Sequence, residues 1–209
     1  MINLILICDK KYGISKYEEI PWHFKEDMKY FKNLTTNNMS LIGENAVIMG
    51  RNTWLTLPNN YLHNRINIVL TRSKNLEKKN NVVFYNSLED AISFAETVSH
   101  DIWIIGGADV YTQCFYNYRN FKVFINIIDH DFECDLSISN FPKNIDIISS
   151  VVKDLKNTND GKNYSVRNIV GTINNDVESQ YLRLLRKIMH RGIKRQTRNS
   201  ITYSIFSEE

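Results

Sequence analysis

The sequence predicts an α/β fold built on a mostly parallel sheet. Short apolar runs rich in β-branched residues recur over residues 1–130, and helical patterns separate several of them. Nearly continuous hydrophobic strands that alternate with helices are typical of a parallel sheet covered on both faces. The 209 residues suffice for one well-buried domain and an appendage.

The predicted elements follow from these patterns in chain order. The strands are INLILI (2–7), AVIM (46–49), INIVLT (66–71), VVFY (82–85), IWII (102–105) and KVFINII (122–128). Helical spacing covers residues 25–35, 88–98 and 108–116. Two later apolar runs, 145–152 and 164–170, have little helical signal between them and predict antiparallel strands at one sheet edge.

Composition excludes several classes of function. Hydrophobic residues make up 43% and charged residues 23% of the chain, and the net charge of +3 is too small to indicate nucleic acid or a membrane surface as a partner. No apolar run approaches the roughly 18 residues of a membrane span, and the N-terminus lacks the basic region of a signal peptide. We therefore expect a cytoplasmic protein.

The cysteines and histidines indicate no metal site. Cys8, Cys114 and Cys134 are far apart and form no CxxC pair, and the histidines show no HxxxH spacing. Cys8 ends an apolar run and Cys114 lies in a predicted helix. Both are expected to be buried thiols rather than nucleophiles.

The segment IPWHFKEDMKYFKNL (20–34) places a carboxylate on the apolar face of a predicted helix. At helical spacing Phe24, Met28, Phe31 and Leu34 share one face, and Asp27 lies on it one turn before Phe31. A buried carboxylate without a partner costs several kcal/mol or takes up a proton. Either Asp27 reaches the rim or a donor elsewhere in the protein, or the face lines a pocket whose ligand carries N–H groups.

The first informative strand end is VIMGRNTW (47–54), since ligands of open α/β sheets bind outside the carboxyl ends of the strands. A strand ends at Gly50, and Arg51, Asn52 and Thr53 begin a helix. Glycine permits close backbone approach, a helix N-terminus favours an anion, and the arginine and threonine add donors. A turn glycine followed by a solvated arginine is the alternative.

Two further strand ends carry similar signals. In IWIIGGADVY (102–111), Gly106 and Gly107 leave no side chain at the mouth of the sheet. A flat or phosphorylated ligand can then reach backbone amides, although a structural glycine pair is a serious rival. In INIVLTRS (66–73), Thr71 and Arg72 follow the strand, and this pair suits a phosphate monoester such as the 2′-phosphate of NADP.

Taken in order, these segments resemble dihydrofolate reductase over about residues 1–170. The motifs are INLILI (2–7), Pro21-Trp22, Asp27 with Phe31, GRNTW (50–54), Leu57-Pro58, Arg65 before INIVLTRS (66–73), and IIGGADVY (104–111). The ordered set is highly specific, and its insert lengths favour the eukaryotic type. The resemblance implies a mostly parallel eight-stranded sheet with flanking helices and NADPH-dependent reduction of 7,8-dihydrofolate to tetrahydrofolate.

The resemblance also implies roles for individual residues. Asp27 matches the carboxylate that accepts hydrogen bonds from the pterin, and Arg65 matches the arginine that binds the substrate's glutamate carboxylate. Residues implied around the pterin and benzoyl rings are Ile5, Ile7, Phe31, Leu57 and Leu62, and those on or beside the active-site loop are Ile20 and Trp22. Implied NADPH-binding positions are Gly13, Gly50, Arg51, Asn52, Thr53, Thr71, Arg72, Ser73, Ile105, Gly106, Gly107, Ala108, Asp109, Val110 and Tyr111. By the same resemblance the Gly106–Gly107 peptide is expected to be cis.

The strand KVFINIID (122–129) departs from the family at Asn126, where a threonine normally pairs with the carboxylate. The amide can donate to Asp27 as part of the catalytic group, but it cannot relay a proton as a hydroxyl does. Activity is still expected.

Two other functions stay open at this stage. One is a reductase of the same fold that acts on a pyrimidine or another pterin, as in riboflavin synthesis. Asp27 and Arg65 argue against it, because in the resemblance both serve folate. The other is a non-catalytic domain that docks a partner enzyme, and the intact cofactor and substrate positions argue against that.

The chain changes character after Val170, and we place a domain boundary between a reductase domain, 1–172, and an extension, 173–209. The extension opens with a polar linker, and QYLRLLRKIMHRG (180–192) reads as an amphipathic helix stopped by Gly192. Residues 178–206 resemble the opening of thymidylate synthase, a methyltransferase of nucleotide biosynthesis. The alternative is a helix that caps the reductase.

Within that second resemblance, Arg198 matches an arginine that reaches the dUMP phosphate, although Thr197-Arg198-Asn199-Ser200 replaces the commoner loop. All three cysteines precede the linker, so the synthase's catalytic cysteine is not in this sequence. We therefore interpret the chain as the reductase half of a multifunctional reductase–synthase of one-carbon metabolism. The synthase part is cut off or lost after its first helix. We expect no dUMP methylation from this chain alone, and a dimer only through a full synthase domain.

Overall fold

The computed structural model describes residues 1–37, 43–73, 82–118, 120–174, 193–196 and 201–204. The chain divides into two compact units, residues 1–173 and 174–209. In the second unit, beyond Asn174, the description covers only the backbone of a hairpin.

The first unit contains ten strands and four α-helices in its described ranges. The strands are β1 (Ile2–Asp9), β2 (Gly13–Ser15), β3 (Asn45–Gly50), β4 (Arg65–Leu70), β5 (Val82–Tyr85), β6 (Ile102–Gly106), β7 (Asn120–Ile128), β8 (Leu136–Ser137), β9 (Asp146–Lys156) and β10 (Asn163–Asn174). The helices are α1 (Lys25–Thr36), α2 (Arg51–Thr56), α3 (Leu88–Val98) and α4 (Ala108–Asn117), and a 3-10 turn spans Pro58–Asn60.

Eight of these strands form one sheet in the order β5-β4-β3-β6-β1-β7-β10-β9. Neighbouring strands from β5 to β7 are parallel, and β9 pairs with β10 antiparallel at one edge. The predicted fold class is therefore confirmed, including the antiparallel edge. The short strands β2 and β8 pair with each other outside this sheet, and the sequence analysis did not predict them.

Helices cover both faces of the sheet, which explains the nearly continuous hydrophobic strands. On one face, Ala91 and Ile92 of α3 and Cys114 of α4 join a buried cluster with strand residues such as Leu4 and Ile48. On the other face, side chains of α1 pack against a cluster that the sheet and α2 contribute. The helices and strands of this unit therefore enclose two apolar layers.

The thiols predicted to be buried are buried. Cys8 and Cys114 are fully enclosed, and burial raises the pKa of Cys114 to about 12. A thiol with such a pKa stays protonated near neutral pH, so neither residue has the thiolate character of a nucleophile.

Strand β10 continues through the predicted domain boundary near residue 172 and ends at Asn174. Ile173 is 1% exposed and belongs to the same buried cluster as Leu4. The buried core of the first unit therefore extends to Ile173, although the sequence already becomes polar after Val170.

The second unit contributes a described hairpin, β11 (Ile193–Gln196) paired antiparallel with β12 (Ile201–Ser204). The amphipathic helix predicted over residues 180–192 and the predicted phosphate ligand Arg198 lie outside the described residues. In the described ranges every helix is too short or too polar to traverse a lipid bilayer.

Candidate active site

Helix α1 presents Asp27 to strand β7. Asn126 of β7 donates its side-chain amide to the Asp27 carboxylate, with Nδ2 and Oδ1 2.5 Å apart. Burial raises the pKa of Asp27 above its ordinary value, and the hydrogen bond from Asn126 opposes part of that rise. Asp27 is thus a largely buried carboxylate with one neutral donor.

The buried face of α1 differs in one residue from the face that the sequence predicted. Phe31 and Leu34 pack against the buried cluster of the sheet, and Phe24 is 1% exposed just before the helix. Met28 is 52% exposed, so its assignment to this face was wrong. Asp27, Phe31 and Leu34 follow the spacing i, i+4, i+7, whereas Met28 lies about 100° around the helix from Asp27.

Most residues expected around the substrate rings belong to one apolar cluster. Ile5 is buried in it, and Phe31, Leu57 and Leu62 pack against it. Ile105, which was expected at the cofactor, is buried in the same cluster. Ile7, also expected here, packs instead against the neighbouring cluster of Trp22, Phe24, Ile128 and Val166. Strand β1 therefore contributes to both clusters, with Ile5 in the first and Ile7 packed against the second.

The loop before α1 is attached to the hairpin of β9 and β10. The backbone N–H of His23 donates to the side chain of Asn157 at 2.9 Å, and the N–H of Thr158 donates to the carbonyl of His23 at 2.9 Å. Trp22 is buried, and its indole N–H has no hydrogen-bond partner within the described residues. Ile20 is 58% exposed, so it lies on the outside of this loop.

Arg65 is 5% exposed although it carries a full charge. Its Nε donates to the carbonyl of His63 at 2.9 Å, and its Nη1 donates to Thr35 Oγ1 at 2.8 Å. Burial lowers the pKa of Arg65, and the negative charge of Glu44 counteracts this in part. Since Thr35 lies on the same face of α1 as Phe31, the guanidinium is fixed beside the apolar cluster, 6.0 Å from the centre of the Phe31 ring.

Asn67 holds the segment that precedes Arg65. It is fully buried in β4, its Oδ1 accepts from the N–H of Leu62 at 2.8 Å, and its Nδ2 donates to the carbonyls of Leu62 and Arg65. Sequence reasoning missed both Asn67 and Thr35. A polar residue inside the apolar run INIVL was the available signal for Asn67.

The glycines predicted at two strand ends meet at the mouth of the sheet. A Cβ built on Gly50 would lie 3.7 Å from the Gly107 nitrogen and 3.8 Å from the Gly106 carbonyl oxygen. One built on Gly107 would lie 3.3 Å from Thr53 Oγ1. The Gly106–Gly107 peptide is cis, as expected, and Gly106 has φ of +114°, a conformation that side chains rarely adopt.

Helix α4 begins directly at this mouth. Gly107 is its N-cap, and within the described residues no side chain caps the helix. Its first turn is formed by the predicted cofactor residues Ala108, Asp109, Val110 and Tyr111. The Tyr111 hydroxyl donates to the Ile5 carbonyl at 2.8 Å, which ties α4 to a strand that contributes to the apolar cluster.

The remaining predicted cofactor residues follow β3 and β4, except for Gly13, which begins β2. Arg51 and Asn52 are exposed at the start of α2, and Arg72 and Ser73 are exposed after β4. The Ser73 N–H donates to Thr71 Oγ1 at 3.1 Å. Gly13 is buried against Cys134, and its N–H donates to Asp9 at 2.8 Å, so the structure gives this glycine a packing role.

Two residues that extend the Asp27 site were not foreseen. Asn168 of β10 donates its amide to Asn126 Oδ1 at 2.7 Å, and its side chain is also hydrogen-bonded to the hydroxyl of Tyr30 on α1. Their only signals were a polar residue within the run YSVRNIV and an aromatic three positions after Asp27. The described residues contain no group of three or more His, Cys, Asp or Glu side chains that could hold a metal ion.

Comparisons with known proteins identify the family of this chain. The family model described as dihydrofolate reductase matches residues 1–170. A bifunctional dihydrofolate reductase-thymidylate synthase of Paramecium tetraurelia is 28% identical over 99% of this chain, which spans only 44% of that relative. A dihydrofolate reductase of Heliothis virescens is 34% identical over 68% of this chain and 80% of its own length. That of Mus musculus is 32% identical over 64% of this chain and 76% of its own length.

Proposed function

The chain belongs to the dihydrofolate reductase family, and we propose that it reduces 7,8-dihydrofolate to tetrahydrofolate with NADPH as the hydride donor. The observation that carries the proposal is the largely buried Asp27 carboxylate on the face of α1 that packs against the sheet. In the described part of the chain its Oδ2 accepts no hydrogen bond. A largely buried carboxylate with an unused oxygen requires further donors to stay charged.

A reduced pterin supplies the donors that this site lacks. Its N3–H and 2-amino group form a bidentate array that matches a carboxylate. Phe31, Leu57 and Leu62 line the adjoining apolar cluster, where flat rings can be buried. These features support a ligand with a polar, N–H-bearing edge and a hydrophobic body.

Arg65 supports the proposal that the rest of the ligand is the glutamate-bearing tail of folate. Its Nε and Nη1 are engaged by His63 and Thr35, which fixes the plane of the guanidinium. In the described residues no carboxylate forms an ion pair with Arg65. A substrate carboxylate would satisfy this buried charge.

The mouth formed by Gly50, Gly106 and Gly107 fits a dinucleotide. The three glycines carry no side chains of their own where their backbones converge, and α4 offers an N-terminus that no described side chain caps. Such a terminus favours a pyrophosphate. We assign the 2′-phosphate of NADPH to Thr71, Arg72 and Ser73, because an exposed arginine beside a hydroxyl distinguishes NADPH from NADH.

The chain's own residues bind, orient and polarise the reactants. When bound, the nicotinamide supplies a hydride to C6 of the pterin. The negative charge of Asp27 favours the form of the pterin protonated at N5, which is the more electrophilic form. Asn126 holds Asp27 at a fixed position, and the enclosing cluster excludes water, which strengthens this electrostatic effect.

Residues 173–209 we assign to the linker and the start of a thymidylate synthase domain. The Paramecium tetraurelia relative supports this, since its similarity covers 99% of this chain and its name gives both activities. In such a fused enzyme the tetrahydrofolate product would serve one-carbon transfer to dUMP, and dimers would form through the synthase domain. These 209 residues alone are expected not to methylate dUMP.

The test is a spectrophotometric assay of the purified chain. We expect the absorbance of reduced nicotinamide to fall when dihydrofolate and NADPH are both present. A pyrimidine substrate of the riboflavin pathway should give no such change. Turnover of that pyrimidine but not of dihydrofolate would support the rival reductase, and turnover of neither would support a docking domain.

A further inference from the structure

A chain of hydrogen bonds leads away from Asp27 and returns to its own helix. Asn126 of β7 donates to Asp27, Asn168 of β10 donates to Asn126 Oδ1, and the Tyr30 hydroxyl is hydrogen-bonded to the side chain of Asn168. Tyr30 follows Asp27 by three residues and so lies on the same side of α1. Three elements, α1, β7 and β10, thus contribute to one circuit.

The circuit has a defined direction. The Nδ2 of Asn168 carries two N–H groups, and one of them reaches Asn126 Oδ1. The hydrogen bond with Asn168 lowers the pKa of Tyr30, so the amide is the donor and the phenol oxygen the acceptor. Burial is the larger effect and raises the pKa of Tyr30 overall, so the phenol stays neutral. Asn168 thus donates both to Tyr30 and to Asn126, and Asn126 in turn donates to Asp27.

We propose that Asn168 and Tyr30 are positioning residues that lock the Asn126 amide with its N–H toward Asp27 and thereby favour the ionised carboxylate. The inference rests on the proposed function for its catalytic meaning. A free amide can rotate by half a turn and present its carbonyl instead. An amide anchored at its carbonyl by Asn168 cannot do so without breaking that hydrogen bond.

The fixed orientation of the Asn126 amide affects the protonation of Asp27. An ionised carboxylate only accepts hydrogen bonds, which suits the N–H of Asn126. A protonated carboxyl must donate from one oxygen, and the locked amide offers no acceptor in that direction. Aligned hydrogen bonds also polarise one another, so the donation from Asn168 strengthens the bond of Asn126 to the carboxylate. The circuit therefore opposes the effect of burial on Asp27.

Few other groups can affect the titration of Asp27. In the described part of the chain, the titratable side chains that interact with it electrostatically are Tyr30 on α1 and Tyr111 on α4. Burial raises the pKa of both phenols, so both are neutral where a carboxyl titrates. Asn126 and Asn168, which face Asp27 from β7 and beyond, carry no charge.

The test is an NMR titration of the Asp27 carboxyl in the full chain, labelled with carboxyl-¹³C aspartate and without ligands. Asp27→Asn identifies the resonance. We expect Asn168→Leu and Tyr30→Phe each to shift the Asp27 pKa upward, with the larger shift for Asn168→Leu. The double variant should shift it no further than Asn168→Leu alone, because Tyr30 acts through Asn168. The acid limb of the kcat/KM profile should move in the same direction.

Val170→Ala is the matched control, since Val170 lies on the same face of β10 and packs against the cluster of the sheet. It should lower thermal stability and leave the Asp27 pKa unchanged. An unchanged pKa in Asn168→Leu, or additive shifts in the double variant, would overturn the inference. If Asn168→Leu does not fold, the nearly isosteric Tyr30→Phe decides alone. The titration needs no substrate, so its outcome is independent of whether dihydrofolate is turned over.

Discussion

The side-chain amide of Asn126 donates a 2.5 Å hydrogen bond to the carboxylate of Asp27, joining the middle of β7 to the first turn of α1. The family normally provides a threonine at this point. A hydroxyl can donate or accept without moving its oxygen, whereas an amide has separate donor and acceptor atoms. Asp27 in this chain is therefore held by a donor that can take no proton from it.

Asp27→Asn should keep the fold and lower the reductase turnover at neutral pH by roughly two orders of magnitude or more, because the charge that favours the protonated pterin is lost. Steady-state kinetics with NADPH and dihydrofolate provide the measurement. NADPH affinity, followed by fluorescence titration, should be little changed. Asp154→Asn on the exposed strand β9 is the control and should be fully active. Comparable turnover of both variants would reduce Asp27 to a structural residue.

The same substitution should make the ligand-free protein more stable above acidic pH. Burial raises the pKa of Asp27 from its ordinary value of 3.8 in the folded state. Between the unfolded and folded values the folded chain binds the proton more tightly, so this group's contribution to stability falls as the pH rises through that window. Thermal unfolding of both proteins across this range should show the difference growing with pH. A variant that is less stable at neutral pH would refute this reasoning.

Arg65→Lys should raise the KM for dihydrofolate by roughly ten- to a hundredfold, since a lysine cannot reproduce a bidentate, charge-assisted contact worth roughly 1.5–3 kcal/mol. A dihydropterin without the glutamate tail is the matched substrate. Its kinetics should be the same with both proteins. An equal loss for both substrates would mean that Arg65 serves the fold through His63 and Thr35 rather than the ligand.

Arg72→Ala should erode the preference for NADPH over NADH by roughly tenfold or more, because a charge-assisted contact to the 2′-phosphate disappears. The kcat/KM values for the two cofactors give this ratio directly. Arg167→Ala removes another exposed arginine, on β10, and should leave the ratio unchanged. If Arg72→Ala lowers both kcat/KM values equally, the arginine does not read the phosphate.

Deletion of residues 175–209 should leave a folded, active reductase, because β10 ends at Asn174. The unfolding midpoint should change by no more than a few degrees. A deletion that starts at residue 173 instead removes Ile173, which is 1% exposed in the core, and losing such a side chain costs about 2–5 kcal/mol. Loss of cooperative unfolding in the shorter deletion would assign residues 175–209 to the reductase core.

Local sequence patterns predicted the helices, the strands and the informative strand ends, but few of the contacts between these elements. The apolar runs gave six parallel strands because strands covered on both faces have no polar side to obscure the signal. Gly50 and Gly107 were identified separately, and only the fold brings them so close that a Cβ added to Gly50 would contact the Gly107 nitrogen. Helical spacing placed Asp27 and Phe31 correctly, but Met28 borders the apolar stripe and its exposure depends on how α1 lies on the sheet.

The polar contacts around the site were the least predictable. Arg65 and Thr35 are 30 positions apart, and Asn126 and Asn168 are 42 apart, so no short sequence window contains either pair. The alternation of side chains along β7 and β10 did not show whether Asn126 and Asn168 face solvent or the interior. Their partners follow from the order of strands in the sheet, in which β10 neighbours β7.

The most direct test of the central claim is a single turnover of the purified chain with dihydrofolate and NADPH that carries deuterium at the transferable position of its nicotinamide. The account predicts tetrahydrofolate with one deuterium at C6, formed rapidly by the wild type and at least about a hundredfold more slowly by Asp27→Asn. Tetrahydrofolate without deuterium at C6, or equal rates for the two proteins, would contradict it.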